Sequence, residues 1–438
     1  MLLPKGSMSE RRNAIPVAVV SALGLTQIIG YGTLYYSFSI LAPGVAHDLG
    51  ATVEQVFAVF SASLFIGGLS APSIGKWLDR FGAATVMTVG SAISALTLTL
   101  CAWSPNLLVF AVAIMLLEVA SGMVQYQAAF AALVERGPQT ASRSITHLTL
   151  IGGFASTIFW PIAAQLHEDF SWRTIHLLYA GLNLLVCMPL HYWIARPGRT
   201  EGRPANKTKF PVIGALPEGS RRRGMIMVSL AFALQGFTLS AILTHMVPML
   251  GNVGFGAAAV VIDALFGPSQ VLSRLINMFF GQDLPPPSLA TLSAVLIVTG
   301  VAMLAVFGAW VPGAVAFAVC LGLGSGINSI AQGSLPLWLF GSESYGVITG
   351  RMAASRLAAG AMAPFVFSFV METFGINVAL VAMPASGRSA LLRLWRCHSQ
   401  QNAGRSSLLE ALLPFEVRDK GTCKAAMSKE AIWIPAKH

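Results

Sequence analysis

The chain has 438 residues, of which 55% are hydrophobic and only 11% charged, and its mean hydropathy is +0.68. Soluble domains carry about 25% charged residues, so this composition excludes a large water-soluble enzyme. The formal net charge of +10 resides in alternate loops between apolar runs, which argues against a nucleic-acid partner.

In chain order, apolar runs long enough to cross a bilayer as helices are predicted at 14–40, 54–74, 83–103, 106–134, 144–166 and 174–195. A second set follows at 225–250, 256–275, 289–310, 312–338 and 347–371, with a short run near 375–386. The expected fold is an all-α integral membrane protein of about twelve transmembrane helices. Its predicted segments are a tail at 1–13, a six-helix half at 14–195, a linker at 196–224, a second six-helix half at 225–386 and an atypical tail at 387–438.

Lys5, Arg11, Arg12, Lys76, Arg80, Arg136 and Arg143 lie in one set of loops, and the stretch from Arg196 to Arg223 is the most basic. The intervening loops near Gly44–Thr52, Ser104–Pro105 and Gly251–Gly254 carry no Lys or Arg; Arg173 is the exception on that side. This asymmetry predicts cytoplasmic termini and a cytoplasmic linker. The first apolar stretch is too long for a cleavable signal peptide. Cysteines 101, 187, 320, 397 and 423 form no CxxC pair, so no metal or other cofactor is expected.

Landmarks recur between the halves. Ala71-Pro72-Ser73 matches Gly267-Pro268-Ser269, Ser121-Gly122 matches Ser325-Gly326, and Pro161 with Glu168 and Phe170 matches Pro364 with Glu372 and Phe374. The offsets of 196, 204 and 203 residues are nearly even, as in carriers built from two parallel repeats. After Ala385 the apolar run stops short of the ~20 residues a span needs. The expectation is that the natural end of the last helix has been replaced by unrelated sequence, leaving a poorly packed C-terminus. The alternative is a short, tilted final helix with a cytoplasmic tail.

The stretch GKWLDRFGAATVM, Gly75 to Met87, resembles the signature loop of the major facilitator superfamily, Gly-x-Leu-Ala-Asp-Arg-x-Gly-Arg-Lys. Gly75, Asp79, Arg80 and Gly82 fall on its fixed positions between the second and third spans, whereas Ala83 and Ala84 replace its basic pair. The resemblance implies alternating access, with Asp79 and Arg80 latching a cytoplasmic gate. A carboxylate there can meet the positive end of a neighbouring helix.

The resemblance also implies a substrate path along the first, fourth, seventh and tenth spans. Bulky polar residues fall on those spans independently. Gln27, Tyr31 and Tyr35 share a face of the first; Gln125 lies in the fourth, Gln235 and Thr238 in the seventh, Asn328 and Gln332 in the tenth. Each amide could instead join two helices. Asp263 and Arg356 are candidates for an ion pair, and Arg351 for snorkelling to the surface. His147, His176 and His245 read as hydrogen-bonded structural histidines.

The fourth span reads MLLEVASGMVQYQ from Met115. Many proton-coupled exporters of the superfamily have Leu-x-x-Arg-x-x-Gln-Gly here, and alignment on Gly122 puts Glu118 in the arginine position. The fifth span reads GGFASTIFWPI and lacks the antiporter pattern Gly-Pro-x-x-Gly-Gly. Glu118, Ser121, Gly122 and Gln125 would line one helical face. Glu118 and Asp263 are the candidate proton carriers; the alternative for Glu118 is a neutral residue bonded to a neighbouring helix.

YGTLYYSFSILAPGVAHDLG, with Ser171-Trp172-Arg173, is similar to monocarboxylate and oxalate–formate porters. LPLWLFGSESYGVITGR resembles a bacterial branch of uncharacterised carriers, some associated with arsenite efflux. These resemblances imply a multi-pass protein of the bacterial inner membrane, acting as a monomer on a small-molecule substrate. The leading expectation is proton-coupled export of a metabolite, drug or metalloid such as arsenite. The alternative is proton-coupled uptake of a small organic anion held by Arg356. A membrane sensor or intramembrane enzyme has no supporting motif.

Overall fold

The computed structural model describes residues 15–196, 211–281, 284–307 and 310–374. Among them are eleven helices long and apolar enough to cross a membrane. They are α1 (Val17–Asp48), α2 (Val53–Phe81), α3 (Ala83–Ala102), α4 (Leu107–Arg136), α5 (Ala141–Asp169) and α6 (Trp172–Ala195). Then follow α7 (Glu218–Leu250), α8 (Ala258–Phe280), α9 (Pro286–Phe307), α10 (Val311–Phe340) and α11 (Tyr345–Phe374). The all-α membrane fold is therefore as expected. The predicted N-terminal tail, much of the linker, the short twelfth span and the tail from 387 lie outside the described residues.

Helix starts are written in local side chains. Thr52 and Gln55 form a reciprocal capping box on α2, Asn106 accepts from the Val109 N–H on α4, and Ser171 from Thr174 on α6. Helix ends are less legible from hydropathy. α2 runs to Phe81, so Gly75, Asp79 and Arg80 lie on its last turns rather than in a loop. Nothing between Gly75 and Phe81 breaks a helix; Gly82, at φ +84°, does. Likewise α7 begins at Glu218, seven residues before its apolar run.

Several helices are interrupted in mid-course. α1 carries a π-helical turn at Gly32–Tyr36 and α6 one at Asn183–Cys187. The carbonyls loosened in α1 find partners: Ser37 Oγ donates to Gly32 O at 2.8 Å and Trp160 Nε1 to Tyr36 O at 3.1 Å. Asn183 joins the two turns by donating to Thr33 Oγ1 at 3.0 Å. α4 takes extended backbone at Gln125, and α5 is interrupted by a turn at Gly153–Phe154. Irregular backbone at membrane depth is tolerated only inside protein or along a cavity. The breaks therefore mark the interior.

One apolar cluster joins Ile74, Leu78 and Phe130 to Leu337 and Tyr345, and so links α2 and α4 to α10 and α11. Other clusters fill α1–α6 around Phe110 and Trp172, and α7–α11 around Phe317 and Phe367. α2 and α11 approach so closely that a Cβ on Gly75 would overlap the Gly346 carbonyl. Only glycine permits that approach.

Candidate functional site

The π turn of α1 gathers tyrosines. The Tyr31 ring lies 4.8 Å from that of Tyr126 on α4, and Tyr36 lies 5.3 Å from Tyr35 and 5.9 Å from Trp160 on α5. Tyr35 is 40% exposed, with its ring 5.8 Å from that of Phe60 on α2. Gln27 does not share that exposure. It is buried, and its Nε2 donates at 2.8 Å to Val124 O, a carbonyl next to the break in α4. Gln27 thus joins α1 to α4, the interhelical alternative.

Glu118 is 8% exposed on α4 and accepts no hydrogen bond among the described residues. Its Oε2 lies beside α2, 3.5 Å from where a Cβ on Gly67 would stand. Ser121 and Gly122 continue the same helix, but Gln125 takes extended backbone at ψ −170°. The predicted four-residue face therefore ends one turn early. Gln235 on α7 is buried with both amide atoms unpartnered, Asn328 on α10 is buried with an unpartnered Oδ1, and Gln332 is half-buried. The other polar residue on α7, Thr238, bonds back to Leu234 O.

Arg356 on α11 is half-buried, and its stem lies against Gly236 of α7. It does not pair with Asp263. Asp263 is half-buried where the first helical piece of α8 ends, while the stem of Arg356 lies against Gly236 of α7. The candidate pair is therefore not formed. Arg351 is exposed, as a snorkelling residue would be.

The residue that sequence reasoning missed is Arg274 on α8. It is 4% exposed. Its Nε donates to Ser329 Oγ on α10 at 3.2 Å, while its Nη1 lies against Gly153 of α5 and has no partner. The available signal was spacing. Ser269, Ser273, Arg274 and Asn277 recur on one side of α8 and are all buried, and a polar stripe on a membrane helix marks a protein-facing or water-facing side.

At one end of the bundle, Asp79 accepts the N–H groups of Gly346 and Val347, each at 2.8 Å. These are free donors of the first turn of α11, where a carboxylate is favoured by charge and geometry. Arg80 instead is exposed and lies over the Phe81 ring at 5.1 Å. Glu135 at the end of α4 accepts from the Ala83 N–H at 3.0 Å, capping α3 in the same way.

Two histidines bond within their own helices, His176 to Trp172 O and His245 to Ala241 O. His191, unnoticed in the sequence, joins Ser91 of α3 to Thr26 of α1, at 2.8 and 2.9 Å. Thr26 Oγ1 already donates to Leu23 O. His191 Nε2 is therefore the donor to Thr26, and Nδ1 accepts from Ser91.

Comparison with known proteins yields a family model, described as Major Facilitator Superfamily, that matches residues 23–364. Monocarboxylate transporter 11 of Mus musculus is 25% identical over 359 residues, covering 80% of this chain and 72% of that protein. The Homo sapiens protein of the same name is 25% identical over 358 residues, covering 80% and 68%. The crystal structure of the human organic anion transporter MFSD10 (TETRAN) superposes with a TM-score of 0.63 at 15% identity, covering 89% of this chain and all (100%) of that one. The proton:xylose symporter XylE, bound to 6-bromo-6-deoxy-D-glucose, gives a TM-score of 0.66 at 13% identity, covering 86% and 96%. At these identities the solved structures speak for the fold.

Proposed function

Because the chain belongs to the major facilitator superfamily, we propose that it is a secondary carrier that moves a small organic anion together with a proton by alternating access. The observation that carries this reading is the unpartnered Nη1 of Arg274, buried between Ser329 of α10 and Gly153 of α5. A buried guanidinium without a counter-charge is costly, and an anionic substrate supplies one at each turnover. Arg356, half-buried on α11 against Gly236 of α7, offers a second cation. A neutral metalloid such as arsenite would leave Arg274 unpaired, so the geometry favours the anion over the export of neutral solutes. The names of the relatives, a monocarboxylate transporter and an organic anion transporter, point the same way.

Glu118 supplies the coupling. As a carboxylate it repels an anion entering among the tyrosines; once protonated it admits it. Proton and anion then cross together without net charge movement for a monoanion. Asp263, away from the tyrosines and unpaired, has no such role in this scheme. Direction follows the combined gradients, because coupling fixes stoichiometry and not sign.

The asymmetry of the basic loops supports cytoplasmic termini and a cytoplasmic Asp79 gate, at the end where α2 and α11 are in contact. The same reading has the chain act as a monomer in the bacterial inner membrane.

A binding panel tests the reading. In detergent, quenching of intrinsic tryptophan fluorescence should titrate with short carboxylates, and the corresponding neutral alcohols and amides should bind at least about tenfold more weakly, a 1.4 kcal/mol difference. Equal binding of the alcohols would refute the anion reading.

A further inference from the structure

Just before α7, the residues PVIGAL (Pro211–Leu216) run extended beside the turn from α10 to α11. Ile213 and Gly341 form an antiparallel β-bridge. Ser342 N donates to Val212 O, Ala215 N to Trp338 O and Leu216 N to Leu339 O, each at 3.0 Å, and Val212 N donates to Ser342 Oγ at 3.0 Å. Side chains alternate as a strand requires: Val212, Gly214 and Leu216 face inward, whereas Ile213 and Ala215 are exposed. Gly214 lies so close to the Leu339 and Phe340 backbone that a Cβ would overlap it.

This strap touches the gate on two counts. Val212 packs on the apolar cluster that holds Ile74 and Leu78 of α2, Phe130 of α4 and Tyr345 of α11. The turn that the strap pairs with, from Gly341 to Ser344, leads within three residues to Gly346 and Val347, whose N–H groups meet Asp79. Ser344 is the one non-glycine residue among those described with positive φ, at 52°, a backbone state that persists only where its surroundings hold it.

We propose that residues 212–216 are a gate strap: Val212 plugs the α2–α11 seam, and the backbone pairing holds the α10–α11 turn so that the first turn of α11 is aimed at Asp79. The segment that connects α6 to α7 is then a control element of the gate and not a passive tether. Anything that draws it off the turn opens that end of the carrier. The proposal rests on alternating access and is independent of the substrate.

The test uses the full chain without substrate, with its five native cysteines replaced by serine or alanine. Spin labels go on the exposed Arg143 of α5 and Phe280 of α8, one turn beyond the Thr146–Asn277 contact between these helices. Double electron–electron resonance then reads the population with that end open. Gly214→Val, which expels the strap, and Val212→Asn, which keeps the pairing but wets the plug, should each raise the long-distance fraction at least threefold. Asp79→Asn should shift it in the same direction. Ile213→Asn, one residue away on the exposed side, should leave it unchanged. Unchanged distances in both Gly214→Val and Val212→Asn, or an equal shift in Ile213→Asn, would overturn the proposal. Because no anion is present, neither result bears on the substrate reading.

Discussion

Arg274→Gln is expected to weaken carboxylate binding by about 10²–10⁴-fold while raising the melting temperature of the substrate-free protein. The two effects have opposite signs because the guanidinium is incompletely paired at rest. It holds one hydrogen bond, to Ser329, and presents Nη1 to Gly153 with no partner. Removing a buried charge that lacks a counter-ion relieves its desolvation cost. Removing the same charge from the bound state strands the substrate's carboxylate, a loss of about 3–5 kcal/mol for a broken buried pair. Arg274→Lys should recover only part of the affinity, since an ammonium cannot bond Ser329 and a carboxylate through the same planar fork. Thermal unfolding followed with and without carboxylate reads both quantities. If Arg274 only tied α8 to α10, stability and binding would fall together.

Glu118→Gln separates coupling from binding. Glutamine has the shape of a protonated glutamate and cannot release a proton. The variant should therefore exchange labelled for unlabelled anion within about threefold of the wild-type rate, yet lose at least about tenfold of the accumulation driven by a proton gradient. Its anion affinity should also be flat with pH. In the wild type the affinity should rise as the medium is acidified, because a proton on Glu118 removes the charge that repels the anion. The neutral, structural alternative for Glu118 predicts that both activities survive the substitution. Its carboxylate accepts no hydrogen bond among the described residues and lies beside the glycine face of α2, which suits a group that must exchange its proton.

The spans, the gate motif and the acid in the fourth span were legible because each is a local pattern. Apolar length reports a crossing helix, and Asp79 in its sequence frame reports a helix-end contact. Arg274 was not legible in the same way. In the sequence it is a basic residue near the end of an apolar run, the signature of a snorkelling side chain, and only the packing of Gly153 and Ser329 against it distinguishes burial from snorkelling. Gln125 departs from the face predicted for Glu118 for a related reason: helical spacing assumes an unbroken helix, and α4 takes extended backbone at Gln125. The strap was hidden because VIGAL is too short to stand out beside a basic linker, and its partner lies more than a hundred residues away, at Gly341.

The central claim, one proton carried with each anion, is tested most directly by a reversal measurement in proteoliposomes containing the wild-type chain and a pH-sensitive dye. With a pH difference of one unit imposed, net flux should vanish when the carboxylate is about tenfold more concentrated on the alkaline side, since both ratios then store about 1.4 kcal/mol. Clamping the membrane potential should not move that null point for a monocarboxylate. Carboxylate flux that ignores the pH difference, or a null point that shifts with membrane potential, would contradict the account.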